Sequence, residues 1–242
     1  VITTLEEKKD LLSSLGIDHL IVYPFTKEFS KLPYPDFVRK ILVEKIQTRY
    51  LVVGYDHRFG KNREGGFEYL TDCAKNYGFE IEKLDALLLN DINISSSKIR
   101  QALDNGSIET ANNYLGYYFT LNGKVIEGRK LGRKIGFPTA NIESSDIHKI
   151  IPGYGVYAVK IKIDNKVYKG MLNIGSRPTF NHNADNRSIE VNIFDFNKNI
   201  YGKYISLQFV KRIREEQKFN NPEDLITQLF KDQESAIRYL NS

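Results

Sequence analysis

Two textures of apolar and polar positions divide the chain near Gly116. In the first half, short continuous apolar runs alternate with stretches of helical spacing. His19-Leu20-Ile21-Val22-Tyr23 and Tyr50-Leu51-Val52-Val53 predict strands, as do residues 79–84. Between the first two, residues 35–48 place Phe37, Val38, Ile41, Leu42 and Ile46 at helical spacing, with Pro35 and Asp36 in the first turn. Residues 67–77 predict another helix, stopped by Gly78. Strand and helix alternating in this way point to a parallel sheet with helices on its faces. Two short helices, 96–103 and 107–115, complete this half, and Gly116 suits a left-handed cap on the second.

Beyond Gly116 the period shortens to two. Runs at residues 118–126, 155–163, 166–174, 189–196 and 204–210 read as strands. Asn122-Gly123, Asp164-Asn165 and Asn197-Lys198-Asn199 serve as turn signals among them, which indicates a small antiparallel barrel or sandwich. Asn221-Pro222-Glu223-Asp224 then opens a C-terminal helix whose apolar stripe is Leu225, Ile226, Leu229, Phe230, Ile237 and Leu240.

Charge follows the same division. Residues 1–115 hold 15 Lys+Arg and 17 Asp+Glu, while residues 116–242 hold 20 and 13, so the net +5 of the chain comes from the second half. A basic field favours phosphate-bearing partners, nucleotides or nucleic acid. One cysteine, Cys73, allows no internal disulfide, and His19, His57, His148, His182 and Cys73 show no zinc spacing. Apolar runs fall far short of the roughly 18–20 residues of a membrane span, and no signal-peptide pattern opens the chain, so neither a membrane nor a secreted protein is expected. Met171 is the only methionine, and Val1 is not an initiator residue. The expectation is a chain whose N-terminal part is missing from the sequence.

Chemistry concentrates in Gly128-Arg129-Lys130-Leu131-Gly132-Arg133-Lys134-Ile135-Gly136-Phe137-Pro138-Thr139-Ala140-Asn141. Three glycines spaced by four let backbone N–H groups face a phosphate chain, and four cations lie within six residues. Thr139 and Asn141 offer the oxygen ligands that Mg²⁺ accepts beside nucleotide phosphates. A solvated basic hairpin loop would have the same composition. The pattern Gly-x-x-x-Gly-Arg-x-x-Gly-Phe-Pro-Thr-Ala-Asn closely resembles the nucleotide-binding signature of the riboflavin kinases. Further pieces stand in that family's order: Pro152-Gly153-Tyr154-Gly155-Val156-Tyr157, Asn173-Ile174-Gly175-Ser176-Arg177-Pro178-Thr179-Phe180, Ile189-Glu190-Val191, and Ile213-Arg214-Glu215-Glu216-Gln217-Lys218-Phe219.

The resemblance covers nearly all of residues 117–242. It implies a six-stranded antiparallel barrel with C-terminal helical structure that transfers the γ-phosphoryl of ATP to the 5′-hydroxyl of riboflavin. Gly128, Gly132, Arg133, Gly136, Pro138, Thr139 and Asn141 would hold the nucleotide, with Thr139 and Asn141 also on Mg²⁺. Glu190 would be the general base. Taken alone, Glu190 lies opposite the face of Ile189, Val191 and Ile193, where a plain solvated carboxylate is the commoner reading. Arg214 and Phe219 would lie near the flavin; without the family they read as a surface arginine and a core aromatic.

The first half resembles the FMN adenylyltransferase (FAD synthetase) module that accompanies such kinases in bacterial bifunctional proteins. Gly54-Tyr55-Asp56-His57-Arg58-Phe59-Gly60-Lys61-Asn62-Arg63 and Ile94-Ser95-Ser96-Ser97-Lys98-Ile99-Arg100 match two of its blocks, with Ser97 in place of Thr. Ser96 and Ser97 open a helix whose N–H groups favour a phosphate that Arg100 could also reach, though a plain Ser cap would look the same. Asp56 and Phe25 are the flavin-binding candidates. Phe25, with Phe29 and Phe37, forms either a flavin-facing wall or core. The module's His-x-Gly-His turn is absent from the sequence. The expectation is an intact protein that makes FAD as well as FMN, and a present chain poor at the second step.

The resemblance divides the chain into an incomplete α/β nucleotidyltransferase-like domain with a Rossmann-like parallel sheet, 1–116, and a kinase domain, 117–242. ATP, riboflavin and FMN are the implied partners, Mg²⁺ the implied metal and the cytoplasm the implied compartment. A homo-oligomer stays open, and nucleic acid is not expected. Two other readings of the second half remain: a basic nucleic-acid-binding barrel, and a non-catalytic flavin carrier. Thr139, Asn141 and Glu190 speak against the carrier, which needs neither metal ligands nor a base.

Overall fold

The computed structural model describes residues 1–85, 88–89, 92–128, 131–176 and 187–241. They form two compact units, one of His19–Ile94 and one that joins Val1–Asp18 to Ser95–Ser242.

Helix α1 (Leu5–Ser14) opens the chain behind a Thr4-x-x-Glu7 capping box. The Glu7 N–H donates to Thr4 Oγ1 at 3.2 Å, and the Thr4 N–H to Glu7 Oε2 at 2.9 Å. Glu7 is buried because the rest of its unit satisfies it. Its Oε1 accepts from the Asn122 N–H at 3.2 Å, and Lys149 Nζ donates to Oε2 at 2.5 Å. Lys149 also donates to the Ile2 carbonyl at 2.6 Å and stands 4.4 Å from the Phe119 ring centre. Burial pushes the Lys149 ammonium below the usual lysine range, against the pull of Glu7.

In the His19–Ile94 unit, α2 (Lys27–Ser30) and α3 (Tyr34–Phe37) come first. The chain continues from α3 as a π-helical stretch over Val38–Lys45, so the helix expected at 35–48 exists but is wound more widely. Strands β1 (Tyr50–Gly54) and β2 (Glu80–Leu84) pair in parallel, with Tyr50 opposite Glu80. They are joined through α4 (Phe67–Tyr77), which Gly78 ends at φ 73°. Leu70, Cys73 and Ala74 of α4 pack on Val38, Val53, Phe59 and Phe79. Two-residue strands β3 (Leu88–Leu89) and β4 (Ile92–Asn93) make a small antiparallel pair. The strand expected at residues 19–23 does not form. Among the described residues, β1 and β2 pair only with each other. Without a ladder, a strand leaves its backbone groups to water, and Leu20, Ile21 and Val22 are 41%, 65% and 55% exposed.

The other unit resumes with α5 (Ser96–Asp104) and α6 (Ile108–Leu115), the latter ended by Gly116 at φ 77°. Then come β5 (Thr120–Ile126), α7 (Leu131–Lys134), β6 (Ala140–Ser144), β7 (Gly155–Ile163), β8 (Lys166–Ser176), β9 (Arg187–Ile193), β10 (Tyr204–Arg214) and α8 (Pro222–Asn241). The six strands close into a barrel in the order β10-β5-β6-β9-β8-β7, every neighbour antiparallel. Five of them are the period-two runs; the sixth, β6, is the tail of the glycine-rich motif.

Asn122-Gly123 is not a turn but the middle of β5. A Cβ on Gly123 would lie 2.5 Å from Ile142 Cγ2 and 2.6 Å from the Glu143 carbonyl oxygen, so the glycine admits the close approach of β6. Asp164, at φ 53°, does turn the chain between β7 and β8. Leu121, Tyr157, Ile161, Leu172, Leu207 and Phe209 are fully buried. On α8 the stripe is offset from the expected one. Phe230 and Ile237 are 55% and 40% exposed, while Asp232, Ala236 and Leu240 are buried, the last two against Phe137, Ala158 and Met171.

Candidate active site

The site grows from the short ladder between β6 and β9. Asn141 lies opposite Glu190 and Ala140 opposite Val191. Glu190 also faces Asn173 of β8, so the carboxylate stands between two amide-bearing neighbours in the sheet. Just before the ladder, Thr139 Oγ1 donates to Glu190 Oε2 at 3.2 Å. Three of the chemistry-bearing residues read from the sequence are therefore brought together at one end of the barrel.

The glycine-rich connection folds tightly over this point. Phe137 N–H and Ile135 N–H both reach the Gly132 carbonyl, at 2.9 and 3.2 Å. Any Cβ on Gly132 would collide with the Phe137 carbonyl, and one on Gly128 with the Asn141 side chain. Gly136 turns the chain at φ 83°, which a side chain would resist. A cavity of about 570 Å³ opens alongside, lined by Arg133, Pro138 and Thr139 on one side and by Phe196, Asn197 and Tyr201 on another. Arg133 is exposed at its edge. Arg129, Lys130, His182 and the Arg177-Pro178-Thr179-Phe180 segment lie outside the described residues.

Thr139 and Asn141 fit a Mg²⁺ ion by the chemistry of their donors, a hydroxyl and an amide carbonyl. Among the described residues no three carboxylates, imidazoles or thiolates converge. Such an ion would be held by few protein oxygens and mainly by nucleotide phosphates, which suits its preference for octahedral oxygen ligands.

Arg214 and Phe219 come together, with the guanidinium carbon 5.8 Å from the ring centre. Arg214 is not a surface arginine. Its Nε donates to both oxygens of Asp232, at 2.9 and 3.0 Å, and its Nη2 to Oδ2 at 2.8 Å. Asp232, 1% exposed, is the charge that the buried stripe of α8 carries for this pair.

The residues expected to act in adenylyl transfer lie in both units. Ser96, Ser97 and Arg100 are exposed on the first turns of α5, whose cap is Ser95, accepting from the Lys98 N–H at 3.4 Å. In the other unit, Asp56 is exposed on the turn after β1, and Phe25 is 79% exposed. The Phe25 ring stands 5.8 Å from Phe29, which lies 6.2 Å from Phe37, so the aromatic wall runs from solvent into the core. His57 stacks on Phe59, with ring centres 5.8 Å apart.

Sequence reading missed Asn192 and the 196–201 segment of the cavity. Asn192 lies two residues beyond Glu190 and hence on the same strand face, a signal that was there to be used. The segment mixes the turn residues Asn197-Lys198-Asn199 with Phe196, Ile200 and Tyr201 and has no period that would mark it.

The closed six-stranded antiparallel barrel, with its glycine-rich connection beside a Thr–Glu pair, is the fold of the riboflavin kinase family. Residues 115–240 match the family model described as riboflavin kinase, and residues 1–98 the model described as FAD synthetase. A bifunctional riboflavin kinase/FMN adenylyltransferase of Bacillus subtilis strain 168 is 40% identical over 100% of this chain and 76% of its own length. Its counterpart in Listeria monocytogenes is 41% identical over 97% and 74%. A crystal structure from Streptococcus pneumoniae, described as a macrolide-efflux protein, shares the fold at a TM-score of 0.85 and 31% identity, over 97% of this chain and 75% of that one. The chain belongs to the bifunctional riboflavin kinase/FMN adenylyltransferase family. None of its described helices is long and apolar enough to cross a membrane.

Proposed function

We propose that the barrel transfers the γ-phosphoryl of ATP to the 5′-hydroxyl of riboflavin, with Glu190 as the base. The observation that carries this reading is the Thr139–Glu190 hydrogen bond beside Asn141 and beneath the glycine-rich connection. The hydroxyl oxygen of riboflavin attacks the γ-phosphorus, the bond from that phosphorus to the bridging oxygen of ADP breaks, and the hydroxyl proton passes to the Glu190 carboxylate. Thr139 holds that carboxylate in place until substrate takes over the contact. Arg133, Gly128, Gly132, Gly136 and Pro138 line or shape the nucleotide path. Mg²⁺, when bound at Thr139 and Asn141, would neutralise charge on the phosphates. Arg214, fixed by Asp232, would hold Phe219 near the flavin.

In the FAD synthetase region, Ser96, Ser97 and Arg100 would take the nucleotide phosphate and Phe25 with Asp56 the flavin. The exposed first turn of α5 and the exposed end of the aromatic wall support this assignment. Division at residues 116 and 117 into adenylyltransferase and kinase domains belongs to the same reading. ATP, riboflavin and FMN are then the partners, and the cytoplasm, where ATP is made available, the compartment. A homo-oligomer would show in light scattering as a mass above 27.9 kDa.

Incubation with riboflavin, ATP and Mg²⁺, followed by chromatographic separation of flavins, tests the reading. FMN is expected, and any FAD reports the second activity. Riboflavin recovered unchanged overturns the kinase assignment.

A further inference from the structure

The β6–β9 ladder stops one residue short of its chemistry. The register pairs Asn141 with Glu190 and Ala140 with Val191, so the next pair would set Thr139 against Asn192. That pair is not formed. Pro138, which precedes it, has no N–H with which to carry the ladder further. Two side chains of β9 act instead. Asn192 Nδ2 donates to the Pro138 carbonyl at 2.7 Å, and Glu190 accepts from Thr139 Oγ1 at 3.2 Å. Glu190 and Asn192 are two residues apart on one strand and share its face. They grip the 138–139 step from both sides, one at its carbonyl and one at its hydroxyl.

We infer that Asn192 is a positioning residue for phosphoryl transfer: it fixes the Pro138–Thr139 peptide plane and so aims the Thr139 hydroxyl. Asn192 is 7% exposed, and its strand neighbour across the ladder is Met171, which packs in the same cluster as Phe137. The turn is thus held at residue 137 by Gly132 and at residue 138 by Asn192. With the amide gone, the peptide plane is free to rotate and Thr139 with it. Small misplacements of a reacting group cost up to about 10²-fold in rate. This inference rests on the kinase reading, and it assigns Asn192 an effect through Thr139.

The test compares kcat and both KM values for the wild-type chain, Asn192→Ala, Asn192→Asp, Asn192→His, Thr139→Ala and the Asn192→Ala/Thr139→Ala double variant. Asn192→Asp keeps the volume but loses the donor, so it carries the test if the alanine variant fails to fold. Both should lower kcat by roughly 10–100-fold, with the KM for riboflavin within about twofold of wild type. Asn192→His, which retains an N–H, should recover part of the loss. In the Thr139→Ala background, Asn192→Ala should cost almost nothing further, because its effect runs through the missing hydroxyl. Wild-type kcat in Asn192→Asp, full additivity in the double variant, or a loss confined to riboflavin KM would each overturn the inference. If the wild-type chain itself makes no FMN, the kinase reading has failed separately. A crystal structure of Asn192→Asp then decides: a Thr139–Glu190 contact kept at hydrogen-bond distance rejects the positioning role, and its loss upholds it.

Discussion

The two units solve the same problem, that of hiding a sheet, with different success. The barrel closes on itself, so each of its six strands has two partners and its inward side chains are almost wholly withdrawn from water. Among the described residues, the His19–Ile94 unit holds one parallel pair, β1 and β2, and one short antiparallel pair, β3 and β4, neither joined to a further strand. Its apolar residues are divided between a small core around Leu70 and a run at 20–25 that faces solvent. Closure abolishes edges; a two-stranded sheet is mostly edge. A rigid, closed frame is also what a catalytic constellation needs, since the groups must stay within a fraction of an ångström of the productive geometry.

The largest expected effect tests whether phosphoryl transfer belongs to the barrel alone. Glu190→Gln should lower kcat for FMN formation by ~10²–10⁴, the usual worth of a general base, with flavin affinity retained in a fluorescence titration. Ile21→Ser, in the other unit, should leave that rate unaltered. Equal losses from both would break the comparison.

Next comes the buried ion pair that ties α1 to the barrel. Lys149→Met leaves Glu7 buried without its cation, and about 3–5 kcal/mol of stability should go with it, read as a shift of the denaturation midpoint. The Glu7→Gln/Lys149→Met double variant should recover much of that loss. A single variant as stable as wild type would mean that α1 is only laid against the barrel and does not contribute to it.

A smaller effect follows from Tyr157, whose hydroxyl donates to the Gly153 carbonyl at 2.5 Å. Burial pushes its phenol up to about 12. The unfolded chain then loses this proton near pH 10 while the folded barrel keeps it, so the contribution is complete below pH 10 and is lost as pH rises toward 12. Two pH units at about 1.4 kcal/mol each make this on the order of 2–3 kcal/mol at most. Tyr157→Phe should flatten the alkaline fall in stability; an unaltered pH profile would place the cause elsewhere.

The smallest effect sharpens the contrast. Ile21→Ser and Val22→Thr alter side chains already 65% and 55% exposed, and stability should stay within about 0.5 kcal/mol. A loss of several kcal/mol would show that this run is covered in solution.

What the sequence disclosed follows the same line between closed and open structure. Every period-two run became a barrel strand, because a strand buried on one face must alternate. The helices at 67–77 and 96–103 and the caps at Gly78 and Gly116 were legible from local chemistry. Strand β6 was not, since Ala140-Asn141-Ile142-Glu143-Ser144 has too few apolar positions to show a period. Asn122-Gly123 misled for a tertiary reason: the glycine serves a neighbouring backbone, not a turn. Asp232 broke the expected stripe of α8 because its partner, Arg214, lies on another element. The run at 19–23 has the composition of a strand, but composition supplies no neighbour to pair with. In the site, the motif brought Thr139 and Asn141 into view and the family resemblance Glu190, while Asn192, on the same strand face as Glu190, took its meaning from the end of the ladder.

The contact between Glu7 and Lys149 joins residues 142 positions apart, and the His19–Ile94 unit lies between them in the chain. Val1–Asp18 and Ser95–Ser242 therefore belong to one unit, interrupted in sequence by the other. On a ribosome, α1 emerges before Asn122 and Lys149, the partners that satisfy its Glu7. The His19–Ile94 unit can gather its own core in the meantime, as domains made first generally do. The closing of so long a loop costs entropy that grows only as the logarithm of its length, so the delay is one of sequence and not of energy. Until Lys149 arrives, the Glu7 carboxylate lacks its cation, and α1 waits for strands made more than a hundred residues later.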